Sequence, residues 1–172
     1  TVVAGTGVGQ FSVDWFVHAN SRMVVAGVEN LDEHAPKALA QLWSEYQTKY
    51  ALPGDMTTTV YHFGISERSG TVVAYAYRST ADFMSERIAH GVGVKPECAV
   101  PDGNVYEHIP AMLEDQRARQ ASLPLQDRVF IGGEAHAIQL TKDSCTFSCI
   151  YQFVDFPLQM KAAFTAHAAN AA

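Results

Sequence analysis

Apolar positions recur with a helical period most clearly between Asp32 and Tyr50. Ala35, Leu39, Leu42, Trp43, Tyr46 and Tyr50 follow steps of four, three, one, three and four. That spacing lines one side of an α-helix. Asp32 is suited to cap it, with Pro36 in its first turn, and Leu52-Pro53-Gly54-Asp55 to stop it. Thr57 to Ser66 and Thr71 to Tyr77 are dense in β-branched and aromatic residues and flank Glu67-Arg68-Ser69-Gly70, which predicts an antiparallel hairpin. A third strand is expected over Phe83 to Ala89. A second helix, capped by Asn104 or Asp102, should carry a stripe of Val105, Ile109, Met112 and Leu113, with Glu114 to Gln120 solvated. Arg128 to Leu140 and Cys145 to Phe153 predict a last hairpin around Thr141-Lys142-Asp143-Ser144.

The first thirty residues fit two templates. Thr1 to Ala4 is strand-like, and Gly5-Thr6-Gly7-Val8-Gly9 resembles a tight turn or a close backbone approach. Beyond it, Val13, Trp15, Val17 and Ala19 alternate as in a strand. Val13, Phe16, Val17, Asn20 and Val24 would equally line a helix. Strands and helices arriving in blocks argue for a layered α+β or αββα architecture. With 172 residues and no linker, a single domain 1–172 is expected, with alanine-rich 162–172 as a tail prone to fray.

Composition removes several classes of function. Twelve Lys and Arg against 18 Asp and Glu give a net charge of −6 without a basic cluster. A partner that is nucleic acid or an anionic membrane is therefore not expected. No apolar run reaches the ~18–20 residues of a membrane span. A first residue of Thr rather than Met suggests removal of a start methionine or of a longer piece. Cys145 and Cys149, four apart in a strand, would lie ~13 Å from one another. A disulfide needs Cα atoms within ~7 Å. With Cys98 alone in a Pro-flanked loop, buried or free thiols in a reducing cytoplasm are expected.

Local chemical signatures are few. Gly5-x-Gly7-x-Gly9 departs from the Gly-x-Gly-x-x-Gly of dinucleotide sites, so a nucleotide or anion binder is a distant third reading. Seven scattered histidines form no His-x-x-x-His pair, and no local Cys or His spacing marks a metal site. No cofactor or metal is expected. No Gly-x-Ser-x-Gly elbow is present either.

The order of elements resembles the proteasome β-subunit fold of the N-terminal-nucleophile hydrolases. His34-Ala35-Pro36-Lys37-Ala38-Leu39-Ala40-Gln41-Leu42-Trp43 is similar to the second helix of bacterial proteasome-like peptidases, and Val60 to Tyr77 to the strands after it. Ile88-Ala89-His90-Gly91-Val92-Gly93-Val94-Lys95-Pro96 resembles the family's glycine-rich loop, with Val92 replacing the usual serine. The run Ile131 to Asp143 resembles its last hairpin. This resemblance, over residues 32–153, implies a four-layer αββα sandwich of antiparallel sheets flanked by helices, and association into a homo-oligomer.

It also implies a mechanism. Thr1 would be the nucleophile toward an amide or peptide bond, and its α-amine, which ordinarily titrates near 8, the base. Gly5, Gly91, Gly93 and Asn20 would form an oxyanion or supporting loop. The lysine that usually assists the amine has no counterpart here. Two registers are open. In one, Thr1 begins the catalytic strand, and Ala19-Asn20-Ser21-Arg22 ends the strand that follows. In the other, Val3-Ala4-Gly5 through Phe16 matches the family's later strand and first helix, and Thr1 is no nucleophile. The expected function is an N-terminal-threonine amidohydrolase in the first register. In the second it is a non-catalytic self-assembling subunit or binding module.

Overall fold

A computed structural model describes residues 1–162, so the expected fraying of 162–172 lies outside the described residues except for Ala162. The chain is α+β and divides into two compact units: Thr1–His90 with Leu140–Ser144, and Gly91–Gln139 with the residues from Cys145 onward. The first unit holds strand β1 (Val2–Gly7), helices α1 (Gly9–Arg22) and α2 (Val28–Tyr50), and strands β2 (Thr58–Ile65), β3 (Val72–Arg78) and β4 (Ser85–Arg87). Its four strands form one antiparallel sheet in the order β1-β2-β3-β4.

The register sorts the residues of this sheet into two faces. Val3, His62 and Tyr75 lie across from one another, as do Gly5, Val60 and Tyr77. This set meets the two helices. Phe11, Trp15 and Ala19 of α1 and Val28, Leu31, Ala35, Leu39, Trp43 and Tyr46 of α2 complete the core, with Phe83 closing it. Phe11 sits edge-on to Trp43 at 4.9 Å and to Tyr46 at 5.5 Å between ring centroids. The other face carries half-buried Tyr61, Phe63 and Ile65.

Ser12 to Ala26 is settled in favour of helix. The helix ends at Arg22, and its buried side is Phe11, Trp15 and Ala19 at steps of four, whereas Val13, Phe16, Val17 and Val24 of the expected helix stripe are 54%, 48%, 57% and 96% exposed. The glycine segment is corrected too. Gly5 and Gly7 belong to β1, only Val8 separates it from α1, and Gly9 opens the helix. The close approach is real at Gly5, where a Cβ would lie 1.6 Å from Ser12 Oγ. Hence α1 packs directly on the strand that precedes it.

Helix α2 begins a turn earlier than Asp32. Its stripe extends back through Leu31 and Val28, so Pro36 stands inside the helix, at the cost of one backbone hydrogen bond. Asp32 is not the cap; Glu67, in the β2–β3 turn, accepts from Val28 N–H at 3.1 Å. Gly27 makes room for this carboxylate, since a Cβ there would lie 1.2 Å from Glu67 Oε1. Glu29 returns the contact, accepting from Glu67 N–H at 3.1 Å and from the Ser66 hydroxyl. Two acidic side chains thus tie the helix start to the hairpin turn.

The second unit contains α3 (Val105–Ala121) and the hairpin of β5 (Glu134–Leu140) and β6 (Cys145–Gln152), whose turn residues fall to the first unit. Asn104 caps α3, its Oδ1 accepting from Tyr106 N–H at 3.2 Å. Of the expected stripe only Met112 is buried. Gln116, in the half expected to be solvated, is buried with it and donates to Pro96 C=O. β4 is shorter than Phe83–Ala89, because Asp82 and Phe83 take left-handed backbone at φ 50° and 54°. β5 starts only at Glu134, after Gly133 at φ 83°. No described helix is long and apolar enough to cross a membrane.

Candidate functional site

The start of β1 and the end of α1 come together because β1 leads into α1 through a single residue. Thr1 and Asn20 consequently line the same pocket, of about 400 Å³, with Val3, Phe16, Met23 and Leu31. Thr1 is exposed at the edge of the sheet. The pocket's chemistry is sparse. Asn20 Nδ2 donates at 2.7 Å to Phe16 C=O, which spends one of its two amide hydrogens within its own helix. Gly5 lies on β1 opposite Val60. Gly91 and Gly93 stand in the irregular segment that opens the second unit, with no atom of the described residues placed to meet a Cβ on either. Of the five residues expected to share a site, Thr1 and Asn20 line one pocket.

Behind the helix-facing side of the sheet runs a line of buried polar groups that the sequence did not reveal. Trp15 Nε1 donates at 2.7 Å to Nε2 of His62, and both residues are wholly buried. His62 Nδ1 finds no partner among the described residues. Tyr77 lies next to His62, ring centroids 4.7 Å apart, and its hydroxyl donates at 2.7 Å to Asp32 Oδ1. Asp32 also accepts from the Ser85 hydroxyl. Burial pushes the His62 imidazole down to about 4, and the charge of the Thr1 amine adds to this. Tyr77 is pushed upward, first by burial and then by its bond to Asp32. His62 is thus held neutral and Tyr77 protonated. None of these five residues lines the Thr1 pocket, and the arrangement serves to position α1 and α2 on the sheet.

The second unit brings together a different set. On the β5–β6 hairpin, Glu134, His136 and Cys149 turn ligand atoms toward one another, all within 4.8 Å. Of the two states expected for the thiols, buried or free, all three are free: Cys145 and Cys149 are exposed, and Cys98 is half-buried. Cys145 and Cys149 escape burial because β6 is exposed on both faces from Cys145 to Cys149.

Comparison of the chain with family models, with curated proteins and with solved structures finds no significant match.

Proposed function

We propose that this chain is a self-assembling subunit of the proteasome-like sandwich class, with Val3 through Phe16 acting as its later strand and first helix. One observation carries this choice of register. Ala19-Asn20-Ser21-Arg22 forms the last turn of a helix that directly follows a strand, whereas the catalytic-strand register requires extended backbone there. A strand, two successive helices and then three antiparallel strands agree with the second register. The sandwich reading is supported by the half-buried aromatic face of the sheet opposite its helices, the surface a second sheet layer needs. Association is supported by Val13, Phe16 and Val17, which leave the outer side of α1 apolar and about half exposed. Sedimentation velocity at micromolar concentration is expected to show a homo-oligomer, and Val17→Asp to shift it toward monomer. A wild-type monomer throughout that range counts against assembly.

The meeting of Thr1 with Asn20 favours a second reading, an amidohydrolase with Thr1 as nucleophile and its α-amine as base. In that case Thr1→Ala abolishes labelling by a β-lactone probe and Thr1→Ser retains part of it. In the first reading the probe does not label Thr1 of the wild type. Labelling that survives Thr1→Ala eliminates the hydrolase as drawn.

A further inference from the structure

The geometry points to a binding site for a single zinc-class divalent cation on the β5–β6 hairpin, held by Glu134, His136 and Cys149. The inference is independent of the fold family and of any role for Thr1.

The donors are of three kinds: a carboxylate oxygen, an imidazole nitrogen and a sulfur, with all ligand atoms within 4.8 Å of one another. Zinc bonds of ~2.0–2.3 Å at tetrahedral angles place neighbouring ligand atoms roughly 3.3–3.7 Å apart. His136 Nε2 and Glu134 Oε2 already stand at 3.4 Å. Cys149 needs only to give up its weak S–H bond to Tyr151 C=O, 3.6 Å long, and turn about its Cα–Cβ bond. A paired hairpin fixes the backbone from which all three project, so little order has to be created on binding.

The neighbours of these ligands are the kind that hold metal ligands in place. Gln152 Nε2 donates to Glu134 Oε1 at 2.9 Å, leaving Oε2 for the ion. The ring of Phe147 stacks on His136, centroids 4.9 Å apart and planes within 11°, which fixes the imidazole orientation. Such a donor set selects against calcium and magnesium, which prefer oxygen alone, and toward zinc or cobalt. Three protein ligands leave a fourth position for water, as in open zinc sites. The ion binds His136 through an imidazole lone pair and Cys149 as the thiolate, whose proton passes to solvent. Affinity therefore rises with pH.

The test uses the full chain, kept reduced without a thiol reagent, and titrated with Co²⁺. One equivalent is expected to produce a thiolate-to-cobalt charge-transfer band in the near ultraviolet, which Zn²⁺ removes and excess Mg²⁺ does not. Cys149→Ser should abolish the band. His136→Ala and Glu134→Ala should each weaken Zn²⁺ binding by at least tenfold, and Gln152→Ala by about tenfold. Cys98→Ser and Cys145→Ser should leave it unchanged. All three ligands are exposed, so far-ultraviolet circular dichroism of the variants should match the wild type. Absence of the band, its persistence in Cys149→Ser, or its loss in Cys98→Ser or Cys145→Ser overturns the site.

Discussion

Trp15→Ala is expected to lower the unfolding free energy of the first unit by ~3–5 kcal/mol, the range of large aromatic truncations in packed cores. Trp15 is wholly buried between α1 and the sheet, with His62 on one side and the His18 ring stacked 5.9 Å away. Removing the indole opens a cavity and also strips His62 of its one hydrogen bond, since Nδ1 already has none. Trp15→Phe separates the two effects. It refills much of the volume but leaves both imidazole nitrogens unpaired, for a loss of ~1–3 kcal/mol. Urea unfolding reads both variants as a lower midpoint with an unchanged slope. A Trp15→Phe protein as stable as the wild type rules out the indole–imidazole bond as a contributor.

That bond joins residues 47 apart in the chain, which marks the limit of sequence reading here. Local pattern was enough for the hairpins, because Glu67 to Gly70 and Thr141 to Ser144 are turn-forming residues between β-rich runs. It was enough for the body of α2 as well. It failed at Val28 because Asp32 and Pro36 together mimic a helix start, while the true cap, Glu67, comes from a hairpin turn 39 residues downstream of Val28. It was ambiguous in α1 because Val13 and Val17 are apolar yet exposed, so two periods coexist in one segment and burial alone separates them.

The sites follow the same division. Thr1 and Asn20 were grouped through a family likeness, and they meet because β1 runs straight into α1. The Glu134, His136 and Cys149 group was missed by a search for ligands at local spacing. Its signal was nonetheless present. Counting four residues outward from Leu140 and from Cys145, the two ends of the turn, arrives at His136 and Cys149. Antiparallel pairing makes such positions neighbours.

His62 gives the chain an expected acid limb in its stability. In the folded protein its imidazole is pushed down to about 4, mainly by burial, against an ordinary value of 6.5. The chemistry explains the direction: Nε2 already accepts the Trp15 N–H, so a proton added there would set two donors against each other. Between pH 6.5 and 4 the unfolded chain therefore binds a proton that the folded one does not. The stability from neutral His62 is fully present above pH 6.5, is lost as pH falls toward 4, and loses nothing further below that. Across this window the loss is expected to reach ~2–3 kcal/mol. Urea midpoints at pH 7.5 and 4.5 measure it, with His62→Leu as the comparison. The variant starts lower, because the Trp15 N–H is left unpaired, but its acid limb should be shallower by that amount. Parallel acid limbs in the two proteins, or an imidazole resonance of His62 that titrates near 6.5 in the folded state, would show that the ring is not held neutral.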